Sequence, residues 1–135
     1  MKTKLTLLLL CFCSSVFSGD IILNTTTHNT DRSYEPKIWV LKKQSDGYLF
    51  NERGFDENLK IIDEDENMLI LSSVRRDSKS PWRGLYFFVI HKIDKVFSYT
   101  FYSINNSHGL KKSPKDIYKQ IESTILTGTV RFMNE

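Results

Sequence analysis

Cysteine is confined to Cys11 and Cys13 in this chain of 135 residues. Both fall in a segment that reads as a secretory leader. Lys2 and Lys4 form its basic start, Leu5 to Phe12 its apolar stretch, and Val16-Phe17-Ser18 a cleavage site of small or tolerated residues. The apolar stretch is too short to span a bilayer. The bulky Leu10 and Phe12 that precede the two cysteines speak against lipid attachment. With residues 1–18 removed no cysteine remains, which excludes a disulfide, a thiolate metal site and a cysteine nucleophile. Net charge is also scarce. Loss of Lys2 and Lys4 takes Lys+Arg from 19 to 17 against 16 Asp+Glu, a formal +1. Electrostatic recognition of nucleic acid loses its basis at that balance. The short basic start and cysteine-free remainder favour export to a bacterial periplasm or the medium, without stable membrane insertion.

Glycine is sparse too. Six glycines stand singly, so no phosphate-cradling loop or dinucleotide fingerprint exists. His28, His91 and His108 show no ligand spacing, and no HExxH occurs. Asp63, Asp65 and Asn67 have the spacing that opens an EF-hand loop, but Met68 and Val74 occupy the positions that need Gly and Glu, leaving an acidic turn. GxSxG is absent. The expectation is therefore no cofactor, no metal and no recognisable catalytic centre.

What is present is strand-forming sequence. Residues 19–135 are enough for one domain that buries roughly two-thirds of its unfolded surface. Trp82 to Ile104 reads as a central hairpin turning at Lys92 to Lys95. Leu85 to Ile90 is apolar at every position, which predicts a strand covered on both faces. Val96 to Tyr102 alternates, with Phe97, Tyr99 and Phe101 on one side. Further strands are expected at Asp20 to Leu23 (an edge), Lys37 to Leu41 (apolar on both faces), Tyr48 to Phe50, Leu59 to Ile62, Met68 to Val74 and Thr129 to Met133. Ser45-Asp46-Gly47 reads as a turn in which Gly47 takes positive φ. Ser113, Pro114 and Asp116 read as a helix start. Ile117, Ile121 and Ile125 then supply an apolar stripe over about 114–126, and Gly128 a stop. The predicted class is mainly β with one helix (α+β): seven or eight short antiparallel strands in a curved sheet, small sandwich or partial barrel, a C-terminal helix, and a last strand.

The order of strands, a helix and a final strand resembles that of lipocalin-type barrels. The resemblance is architectural. Their Gly-x-Trp signature is missing, since Lys37-Ile38 precede Trp39, and no site residue carries over.

One stretch suggests function. Arg75 to Arg83 gathers Arg75, Arg76, Lys79 and Arg83 around Trp82. Arg and Trp are enriched in interface hot spots, and a loop held between strong strands is a common place for function. In the competing reading Trp82 folds over the sheet edge and the cations are merely solvated. The leading expectation is an exported binding or inhibitor module acting by surface contacts on a protein or envelope component, with Trp82, Arg75, Arg76 and Arg83 as its binding residues. A carrier of small apolar ligands in a partial barrel, lined by residues such as Phe87, Phe97, Tyr99 and Phe101, is the alternative. A hydrolase without a recognisable motif is the third.

Overall fold

The computed structural model describes residues 19–28, 36–52, 54–76, 83–104 and 121–133. Eight strands follow in order: β1 (Ile21–His28), β2 (Ile38–Gln44), β3 (Gly47–Glu52), β4 (Phe55–Glu64), β5 (Met68–Arg76), β6 (Arg83–His91), β7 (Val96–Ile104) and β8 (Ile121–Phe132). Each is antiparallel to the next, and β8 pairs back onto β1, so the sheet closes into an up-and-down barrel. The predicted edge strand near Asp20 is therefore β1, paired on both sides, and closure removes the exposed edges of an open sheet.

Alternation along the strands builds the interior. In β6, Tyr86, Phe88 and Ile90 point in; in β7, Phe97 and Tyr99; in β2, Trp39 and Leu41. Eight strands leave a bore just wide enough for side chains to fill. Aromatic rings fill much of it: Trp39 lies 5.2 Å from Phe50 and 5.0 Å from Tyr99, and Phe88 lies 5.1 Å from Phe50 and 4.8 Å from Tyr99. Most of these pairs meet edge to face, the arrangement favoured by the ring quadrupoles and worth about 0.5–1.5 kcal/mol each beyond the area they bury.

Alternation also corrects two expectations. Leu85 to Ile90 is not covered on both faces: Leu85, Phe87 and Val89 point outward, partly exposed, and no described element lies over them. Lys37 to Leu41 behaves alike, with Ile38 and Val40 exposed. Unbroken apolar sequence reports two apolar faces, but among the described residues only the inner one is packed against other elements.

The C-terminal helix is a further correction. Residues 114–120 of the expected span lie outside the described residues, and Ile121 onward is strand. A repeat of four is also a multiple of two, so the spacing of Ile121 and Ile125 fits one face of a strand as well as one stripe of a helix. Leu126, Val130 and Phe132 are buried on the other face, and Thr124, Ile125, Thr127, Thr129 and Val130 are β-branched residues that suit a strand. Gly128 is not a stop. It lies mid-strand opposite Phe97 and Thr25, where a Cβ would sit 1.9 Å from the Asn24 carbonyl oxygen.

One end of the barrel is closed by short turns. Ser45-Asp46 joins β2 to β3. Gly47 is needed there for the close approach of the Leu59 carbonyl, 2.0 Å from where its Cβ would be, rather than for positive φ. Between β4 and β5 the Asp65 carboxylate accepts from the amides of Asn67 and Met68, each at 2.7 Å, so the acidic run serves a turn. Among the described residues no group of three metal-ligating side chains occurs. The β6–β7 turn places Lys92 inside the barrel wall, where its ammonium meets Glu64 at 2.8 Å and the Asp65 carbonyl at 2.6 Å. At the opposite end lie Arg76, Arg83 and the end of β7.

Candidate interaction surface

The basic stretch is not one loop. Arg75 and Arg76 close β5, Arg83 opens β6, and Trp82 lies outside the described residues. Strand alternation then separates the arginines. Arg75 turns inward and Arg76 outward. Arg76 and Arg83 are register partners, both exposed on the outer wall. Like charges directly across a ladder are unfavourable in themselves.

Arg75 belongs to an inner cluster that sequence reasoning missed. Its Nε lies 3.3 Å from Oε1 of the buried Glu57, its guanidinium sits 3.9 Å from the Phe55 ring centre, and it donates to the Tyr86 hydroxyl. The Ser73 hydroxyl approaches Glu57 at 3.5 Å. Burial pushes the Glu57 carboxyl above its ordinary pKa, and Arg75 and then Ser73 pull against that rise. Burial likewise raises the Tyr86 phenol, against the bond from Arg75.

The cluster sits where the wall loosens. The β4–β5 ladder runs from Glu64↔Leu69 through a bulge to Lys60↔Ser72, and among the described residues it goes no further towards the arginine end. A cleft of about 440 Å³ opens there, lined by Asp56, Glu57, Lys60, Ser72, Ser73 and Val74 among others. The Glu57–Arg75 pair bridges it, doing with side chains what the missing backbone bonds would otherwise do. The lining is mostly polar, and of its ionic groups Glu57 is paired with Arg75.

The outer wall of β5 to β8 is different. Register places Val74, Leu85, Tyr102 and Ser123 in one row, and Ser72, Phe87, Thr100 and Ile125 in the next. Below these come rows led by Ile70 and Met68. Across all four rows the outward positions hold no Asp, Glu, Lys or Arg. Val74 is 57 % exposed and Ile125 41 %, while Phe87 is half-buried among its neighbours. Charge returns at the margins. Lys60 and Asp63 stand on β4 at the side, Arg76 and Arg83 above, and Asp65, Glu66, Asp94 and Lys95 in the exposed turns below. The wall's apolar part is Leu85, Phe87 and Val89 on β6 with Met68, Ile70 and Val74 on β5, and Ser, Thr and His91 are interspersed among the remaining positions; exposed apolar residues grouped in this way mark interaction sites on soluble proteins. The signal was present in the sequence as uncharged odd or even positions over four consecutive strands, but it is visible only once register aligns them.

His91, the histidine whose side chain is described, is exposed at the turn end of the barrel, away from Ser73 and Glu57. His108 lies outside the described residues. No protein-family model, curated protein or solved structure matches the chain.

Proposed function

We propose that the chain is an exported binding or inhibitor module that acts through surface contacts on a protein or envelope component. The observation that carries this reading is the uncharged outer wall of β5–β8, crowned by Arg76 and Arg83. Apolar and aromatic residues at the centre with arginines at the margin match the anatomy of a protein contact. The ring-filled interior favours an external contact over an enclosed apolar ligand, since Phe97 and Tyr99 are packed against other core residues and Phe87 faces outward. A hydrolase finds less support, because Ser73 has Glu57 beside it and no described histidine side chain with them.

The test is affinity capture from the native envelope or medium, followed by titration of each captured component in purified form. Phe87→Asp should weaken true binding by roughly 30-fold or more. Arg76→Ala and Arg83→Ala should chiefly slow association and reduce its salt dependence. Components that bind the Phe87→Asp and parent proteins equally well would refute this surface.

A further inference from the structure

We propose that the seam between β4 and β5 takes up an extended segment of a partner polypeptide, which adds to the open edge of β4 at Phe55–Leu59 as a further strand. The proposal rests on the reading of the chain as a binding module and names the mode in which it holds its partner.

The backbone carries the argument. Phe55 to Leu59 pair on one side with β3, from Glu52 to Tyr48, and Ser73 to Arg76 pair on one side with β6, from Tyr86 to Arg83. Continuing the register of Lys60↔Ser72 would set Leu59 against Ser73, Asn58 against Val74 and Glu57 against Arg75. Both segments are strand, yet among the described residues no such pair forms. Backbone amides and carbonyls need partners, and an open strand edge is a template for another chain. The ligand whose donors and acceptors repeat at the spacing of that edge is itself an extended polypeptide. A bulge between Ile61 and Asp63 stands at the foot of the seam. Bulges recur beside functional sites, where they end pairing.

The space fits a short strand. Glu57, Ser73 and Arg75 point inward, so the Glu57–Arg75 pair floors the seam. Asp56, Asn58 and Lys60 on one lip, and Ser72 and Val74 on the other, point outward. The cleft between the lips holds about 440 Å³. One residue of strand takes about 160 Å³, from a rise of about 3.3 Å, a strand spacing of about 4.8 Å and a layer of about 10 Å. The cleft thus has room for about three residues of extended chain. Alternation sets their chemistry. Side chains facing the floor must be small, because the Glu57–Arg75 pair lies beneath them. Those facing outward lie between Asn58 and Val74. Ser72 and Val74 belong to the uncharged wall as well as to the cleft, so a segment in the seam brings the rest of its protein beside the wall.

A random dodecapeptide library displayed on phage supplies the probe. The chain carries Cys11→Ser and Cys13→Ser, so that Asn58→Cys with Val74→Cys can be bridged across the seam by a short bis-maleimide. Peptides selected on the parent should bind the unbridged double-cysteine protein and lose at least tenfold in affinity on bridging. Far-ultraviolet circular dichroism checks that the bridged barrel is retained. Two further measurements leave the protein unaltered. Methylating the peptide's amide nitrogens one at a time should weaken binding by roughly 5- to 10-fold, the loss of one hydrogen bond, and only at alternate residues, the period of an antiparallel ladder. The seam-facing amides of Phe55–Leu59 should exchange hydrogen rapidly in the free protein and at least tenfold more slowly with peptide bound. A library without binders overturns the proposal. So do binders indifferent to bridging, methylation effects without a period of two, and Phe55–Leu59 amides that are all protected without peptide. Binders spared by bridging and abolished by Phe87→Asp would sink the seam and leave the wall standing. Peptides that meet all three expectations, beside captured components indifferent to Phe87→Asp, would keep the seam and remove the wall; failure of both sets would remove both.

Discussion

Gly128→Ala tests the closure of the barrel. The added Cβ would lie 1.9 Å from the Asn24 carbonyl oxygen, 2.8 Å from its carbon and 2.7 Å from Phe97 Cε1. Ordinary contacts between such atoms need about 3.5 Å. The Phe97 ring can turn aside, but the Asn24 carbonyl is backbone and belongs to the β1–β8 ladder that closes the sheet. Moving β1 by roughly 1.5 Å would take its neighbouring bonds beyond the usual range of about 2.7–3.2 Å. Overpacking costs about 1–3 kcal/mol, and one lost ladder bond adds about 1 kcal/mol. A loss of about 2–4 kcal/mol is therefore expected. Gly128→Asn separates this cause from a helix-terminating role. A left-handed cap accepts asparagine at small cost, whereas a mid-strand close approach rejects it at least as strongly as alanine. Urea unfolding followed by fluorescence, with Trp39 buried in the core as one reporter, gives the midpoint and slope for each variant. An alanine variant within about 0.5 kcal/mol of the parent, or an asparagine variant clearly better tolerated than alanine, would refute the strand geometry at Gly128.

The two neighbouring phenylalanines of β6 should differ sharply. Phe88, wholly buried, should cost about 3–5 kcal/mol on replacement by alanine, and half-buried Phe87 less than about 1.5 kcal/mol, in the same denaturant assay. Arg75→Ala should destabilise by about 1–3 kcal/mol by leaving the buried Glu57 without its cation. The pH dependence has a definite sign. The folded pKa of Glu57 is raised above its unfolded value, so its contribution is fully present below the unfolded pKa and is lost as pH rises through the folded pKa. Glu57→Gln should remove that part of the decline in melting temperature between acidic and neutral pH, and Arg75→Ala should move it to higher pH; a parent and Glu57→Gln variant with parallel profiles would contradict it.

Much of this protein was legible in local pattern. Alternation in Val96 to Tyr102 placed Phe97 and Tyr99 in the core, and the charged Lys92 to Lys95 stretch marked the hairpin turn, because side-chain direction along a strand depends only on neighbours two residues away. Mainly β character followed from the density of β-branched and aromatic residues. The final strand was misread from Ile121 because four is a period that helix and strand share, and only pairing with β1 and β7 decides between them. Local sequence likewise showed two apolar faces in Leu85 to Ile90 but could not say that closure of the sheet would bury one and leave the other on the outer wall. The arginines make the same point. Arg75 and Arg76 adjoin in sequence, yet one lies inside against Glu57 and the other outside across from Arg83. Glu57 itself carries no local mark. Its burial depends on where β4 parts from β5, which is a property of the closed barrel and of no single segment.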